Sequence, residues 1–125
     1  MIRTIVSIFI TFALIFALSA YEMYYVHTTF DQFTEILQSL YTKTNLQTAT
    51  IEDGDAMRAF WEKKKKALHV WISHTALQEV DYQMDEAIGF LYLKDYEDAL
   101  PKIKVLIGIA DTIPENYTFG LENIF

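Results

Sequence analysis

From Thr4 to Tyr21 the chain runs through eighteen positions without a charge, bounded by Arg3 on one side and Glu22 on the other. Beyond Glu22 the apolar run narrows to a stripe. Met23, Val26, Phe30, Phe33, Leu37 and Leu40 recur at alternating steps of three and four, the period of one helix face. No glycine or proline separates the two patterns. They predict a single helix to about Tyr41, apolar on all sides in its first half and on one side in its second.

Three more helices follow from the same periodicity. The stretch Thr42 to Glu52 is rich in Thr, Asn and Gln, whose side chains compete for backbone hydrogen bonds, and reads as a loop. Asp53 or Asp55 then caps a second helix, with Met57, Phe60, Trp61, Lys64, Ala67, Leu68 and Trp71 on one face and an end near His74. Both tryptophans belong to the expected core, with the Lys64 stem laid along one of them. A third helix from about Ala76 to Lys94 buries Leu77, Val80, Met84, Ala87, Ile88 and Leu91 and turns an acidic face outward. The turn Leu93-Lys94-Asp95 is short, so a fourth helix folds back with Ala99, Leu100, Ile103, Leu106, Ile107, Ala110 and Ile113 inward. Pro101 conflicts with that helix and predicts a late start at Asp98, or a kink. Ile113-Pro114 ends it, leaving an irregular tail to Phe125 from which Leu121, Ile124 and Phe125 can pack back. Strand-like alternation is nowhere sustained. The fold class is all-α: an N-terminal transmembrane helix continuous with the first helix of a small antiparallel four-helix bundle.

Eighteen helical residues span about 27 Å, close to the roughly 30 Å hydrocarbon core of a bilayer. Ten strongly apolar residues, among them Phe9, Phe12 and Phe16, each favour insertion by about 0.3–0.6 kcal/mol, or roughly 3–6 kcal/mol together. Arg3 precedes the segment and Glu22, Asp31 and Glu35 follow it, which keeps the N-terminus in the cytoplasm and places residues 22–125 outside. Tyr21, Tyr24 and Tyr25 stand where an interfacial aromatic belt is expected. A cleaved signal peptide is the alternative, with Ala17-Leu18-Ser19 at the cut and a secreted product. Retention is favoured because the helical period runs straight through that cut. The expected organisation is therefore a membrane anchor over residues 1–21 and one extracytoplasmic helical domain over 22–125.

Charge and composition narrow the function further. Residues 22–125 carry nine Lys and Arg against seventeen Asp and Glu, a formal charge of −8 that argues against nucleic acid as a partner. Without cysteine there is neither disulfide, thiolate metal site nor lipidation through an N-terminal cysteine. The run Lys63, Lys64, Lys65, Lys66 is a candidate contact for anionic polymers or lipid headgroups. Successive helical residues turn by about 100°, however, so the four make a collar more readily than a patch. His74 and Asp81 form the best candidate polar pair, of the kind hydrolases and metal sites use. No Glu-x-x-His, His-Glu-x-x-His, nucleophile motif or phosphate loop accompanies them, so a structural hydrogen bond is the favoured role. Asp53-Gly54-Asp55 lacks the remaining ligands of a calcium loop and reads as a helix start. No catalytic residue, metal or cofactor is assigned.

Several pieces together resemble a bacterial family of short membrane-anchored helical proteins, the domain of unknown function numbered 4363. They are the N-terminal apolar helix, Trp61-Glu62-Lys63-Lys64-Lys65-Lys66, His74 with Leu77, Val80 and Asp81, the turn Leu93-Lys94-Asp95, and the closing Leu121-Glu122-Asn123-Ile124-Phe125. Thr75, Ala76 and Gln78, where the family tends to be acidic, and Pro101 depart from the pattern. The resemblance implies topology and place, and supplies no reaction. The function expected is a membrane-anchored interaction or assembly module with a protein partner, held through residues 4–21. The alternatives are a small envelope hydrolase or metal-dependent enzyme using His74 and Asp81, and a binder of anionic envelope polymers or headgroups through Lys63 to Lys66.

Overall fold

A computed structural model describes the backbone of residues 1–70 and 72–124 and the side chains of 1–70 and 72–114. Four helices follow in order: α1 (Ile2–Asn45), α2 (Ile51–Leu68), α3 (His74–Tyr92) and α4 (Tyr96–Ile124). Each helix packs on its two neighbours, α1 on α2 and α4, and α3 on α2 and α4, with no close backbone approach between the diagonal pairs among the described residues. This is an up-and-down bundle, as the short connections require. The α1–α4 and α3–α4 seams are the most extensive.

Helix α1 is unbroken over 44 residues, about 66 Å. Its first half is an apolar arm on which Ile5, Phe9, Phe12 and Phe16 are all exposed. The arm is long and apolar enough to cross a membrane or to serve as a signal sequence. Its second half buries Val26, Phe30, Phe33, Leu37 and Leu40, the expected stripe, while Met23 at the boundary is half-buried. In α3 the buried set is the expected Leu77, Val80, Met84, Ala87, Ile88 and Leu91. Ala99, Ile103, Leu106 and Ala110 of α4 close the core, with Ile107 and Ile113 packed at its edge.

Helix ends depart from expectation. The first loop is only Leu46 to Thr50, because Thr42 and Thr44 donate their hydroxyls to the carbonyls of Gln38 and Leu40 one turn back and so remain helical. α1 then closes in a Schellman motif, with Thr48 N–H donating to Lys43 C=O and Gln47 N–H to Thr44 C=O. α3 closes the same way, through Asp95 to Phe90 and Lys94 to Leu91. Both motifs place a non-glycine residue in the left-handed region, Gln47 at φ 60° and Lys94 at φ 58°. Ser73 caps α3 by accepting from Ala76 N–H, so that helix begins at His74 and not Ala76.

The α2 cap is Thr50, not Asp53 or Asp55. Thr50 Oγ1 accepts from Asp53 N–H while the Asp53 carboxylate accepts from Thr50 N–H, a capping box. The Thr50 N–H, with help from the Lys43 ammonium at 3.1 Å and against a smaller cost of burial, holds the Asp53 carboxyl below its ordinary value. Because the folded value is the lower one, this stabilisation is complete above about pH 4 and disappears as pH falls through the folded pKa. Thermal melts are expected to show this contribution falling away as pH drops below about 4. An Asp53→Asn variant should lack that component.

Both prolines lie inside α4. The helix starts at Tyr96, not Asp98, with Asp95 accepting from Asp98 N–H. Pro101 is exposed and lacks only the hydrogen bond it would have given Glu97, whose first-turn carbonyl remains open to water. Nor does Pro114 end the helix, which continues to Ile124. Proline's own φ is helical, so the cost is one ladder bond and crowding of the preceding turn, which packing outweighs. The expected irregular tail is therefore corrected to helix. Trp71, and the side chains of Leu121, Ile124 and Phe125, lie outside the described residues.

Candidate functional site

Among the described residues the bundle has one buried polar centre and two exposed ends that differ in chemistry. The centre is Trp61, fully buried, stacked on Phe33 at 5.1 Å between ring centroids and 26° between planes. Phe30 lies against it at 6.3 Å. A buried indole N–H needs an acceptor. Trp61 Nε1 finds one in Asp81 Oδ1 at 2.7 Å, across the α2–α3 seam.

The Asp81 carboxylate also takes Lys65 Nζ at 3.2 Å, and Lys65 reaches Glu62 at 3.3 Å. Burial works to lower the Lys65 pKa, but the hydrogen bonds to Asp81 and Glu62 outweigh it and hold the ammonium above its ordinary value. The expected pairing of His74 with Asp81 does not form. Both belong to α3, two turns and about 10.5 Å apart along the axis, and Asp81 is turned towards α2. His74 is exposed and stacks instead on His69, at 5.6 Å and 22°. No group of three His, Asp or Glu among the described residues gathers as metal ligands would.

The lysine run is divided by the helix into separate tasks. Lys65 faces α3, as above. Lys64 faces α1, with Nζ 5.8 Å from the Tyr25 ring and 5.9 Å from the Phe60 ring; Trp71, one of the two tryptophans expected beside its stem, lies outside the described residues. Lys63 and Lys66 stand one turn apart on the outer side of α2. The other cations of the hairpins are largely committed: Lys43 to Asp53, Arg58 to Asp85 and Lys102 to Glu86.

At the end far from the arm, the two Schellman turns lie side by side, tied by Tyr96 Oη donating to Ala49 C=O at 3.1 Å. Each turn exposes a leucine at its helix cap. Leu46 is 66% exposed, Leu93 71% and the neighbouring Tyr92 73%. Between the turns opens a cleft of about 380 Å³ lined by Ala49, Ile51, Leu91, Tyr92 and Tyr96, with Glu52 and Lys94 at its rim. Leu46 and Tyr92 were not singled out by periodicity, since both fall at helix ends where the pattern stops. A sequence signal did exist: an apolar residue at a turn tip, where polar residues are the rule.

Residues 18–124 match the family model described as "Domain of unknown function (DUF4363)". The chain belongs to that family. No curated protein and no solved structure matches it. The match begins at Leu18, inside the apolar arm, so what defines a DUF4363 member includes the passage from arm to bundle. Every feature of the polar centre and of both ends lies within the matched span.

Proposed function

We propose that this DUF4363 protein is a single-pass membrane protein that holds a helical bundle outside the cytoplasmic membrane as an interaction or assembly module, with the far end as its docking surface. The observation that carries this reading is the apolar far end, where Leu46 and Leu93 stand exposed at the two turns and Tyr92 lines the cleft between them. Three large apolar side chains gathered at two turn tips cost solubility and contribute nothing to the core, which is the pattern of a surface awaiting a partner. Support for its placement comes from α1. Rigid from the arm to Asn45, it carries the far end about 36 Å beyond Tyr21 along its axis, clear of the bilayer. Arg3 before the arm supports the orientation.

Photoreactive residues at Leu46, Tyr92 and Leu93 in the full chain are expected to crosslink one recurrent membrane or envelope protein in cells. The same probe at Glu79 or Asp85, on the flank of α3, should not. A Leu93→Glu substitution is expected to abolish that product while leaving the thermal transition in place, because Leu93 is outside the core. Crosslinks of equal strength from the tip and the flank, or none from either, would reject the docking role.

A further inference from the structure

The end of the bundle nearest the arm has a height set by α1. Trp61 lies against Phe30 and Phe33, and Lys64 against Tyr25, so the end of α2 at Leu68 comes level with about Glu22 to Tyr25. The uncharged arm ends at Tyr21. The turn carrying His69 and Val70 therefore stands within about 6 Å, one helical turn, of the boundary between apolar and polar sequence on α1.

The side chains at that height suit an anionic surface. Among the described residues Lys63, Lys64 and Lys66 have no carboxylate partner, unlike Lys65. Val70 is 74% exposed, and Tyr21 and Tyr24 are exposed on α1 just beneath. Among the described residues, Glu22 on α1, Asp111 on α4, which the Lys102–Glu86 pair sets level with about Leu77, and Glu79 on α3 are the carboxylates nearest this level, and Glu79 accepts from the Gln83 amide. The described clefts lie elsewhere, along α1 and α2 by Lys43 and at the far end. An open, flat group of cations encloses no discrete anion, but it fits a plane of headgroups.

We propose that this end is a membrane-seating surface: Lys63, Lys64 and Lys66 engage anionic phospholipid headgroups of the bilayer that holds α1, with Val70 set into the headgroup layer. The inference rests on retention of the arm as an anchor. Within a Debye length of an anionic leaflet each lysine favours contact by about fivefold, so three favour the seated over the lifted orientation by about a hundredfold. Seating fixes the tilt of α1, and with it the direction in which the far end is presented.

The cysteine-free chain allows single spin labels to be placed at Val70, Leu46 and Phe12 of the full protein, reconstituted in phosphatidylcholine vesicles with or without phosphatidylglycerol. Phosphatidylglycerol is expected to lower the access of an aqueous nickel chelate to the Val70 label several-fold and to leave Leu46 open and Phe12 shielded in both. Salt near 1 M, where the Debye length is about 3 Å, should reverse the Val70 effect. Lys63→Gln with Lys66→Gln should remove about 25-fold of the preference, without altering the core. Equal access at Val70 in both vesicles, with Phe12 shielded, overturns seating and spares the anchor. A Phe12 label open to the chelate overturns both. Inorganic polyphosphate that shields Val70 on neutral vesicles as well as phosphatidylglycerol does would assign the lysines to a soluble polyanion and overturn the membrane as their ligand.

Discussion

Truncating Trp61 to alanine is expected to destabilise the bundle by about 3–5 kcal/mol, a fall of roughly 15–30 °C in Tm for a domain of this size. Three losses coincide at this position. The indole is fully buried, its ring stacks on Phe33 and touches Phe30, and its N–H satisfies Asp81. Removing it leaves a cavity where three helices meet and takes from Asp81 its shortest hydrogen bond. Trp61→Phe separates these terms, since it keeps most of the apolar area and drops only the donor. Asp81 then retains Lys65, so the cost should be about 1–2 kcal/mol. Thermal or urea melts of the full chain in detergent measure both. A phenylalanine variant as unstable as the alanine variant would mean that the Trp61–Asp81 bond, and not the aromatic packing, holds α2 to α3.

The second large effect concerns the arm. Phe9→Arg together with Phe12→Arg is expected to release the full chain from the membrane. Each arginine at the centre of a helix costs about 2.5–3.5 kcal/mol and forfeits the phenylalanine's contribution. The pair therefore removes about 6–8 kcal/mol, more than the roughly 3–6 kcal/mol that the arm's apolar residues supply. Folding should be spared, because neither phenylalanine touches the core: they are 72% and 68% exposed. Fractionation of cells and the thermal transition of the double variant test the two halves of this statement. A variant that stays with the membrane at wild-type level would show that something other than the arm retains the protein.

Legibility in the sequence followed the strength of the period. The stripes of α1 and α3 are legible residue by residue because fifteen or more positions repeat them with no proline inside, and the family is recognisable from motifs spread along the chain. Helix ends were harder to read. The Schellman turns at Gln47 and Lys94 lack the glycine that ordinarily marks them, and Thr42 and Thr44 stay helical through bonds to the preceding turn. Thr50 and Asp53 do have the spacing of a capping box, a signal obscured because aspartate, not glutamate, fills the third position. The local cost of Pro114 predicts a helix end, whereas the helix runs on to Ile124.

The polar centre was half legible. Asp81 stands out among the α3 carboxylates, and because histidine–carboxylate pairs carry chemistry the sequence points to His74 as its partner. A buried tryptophan's need for an acceptor was the better guide: Trp61 and Asp81 both lie on the faces that α2 and α3 turn to each other. The lysine run divides as a helix must divide four consecutive residues, and which lysine meets which helix depends on the packing register. That register also sets the height of the α2–α3 turn above the arm, a quantity no local pattern contains.

The central claim is that α1 is one rigid rod joining the bilayer to the bundle, and a single distance tests it. Spin labels at Ile10 and Gln38, both exposed, lie 28 residues apart on α1. In bilayers an unbroken helix predicts one narrow distance distribution near 42 Å. A broad distribution centred well below that value would place a hinge between arm and bundle, and would contradict both the fixed height of the far end and the seating of Lys63 and Lys66 on the membrane.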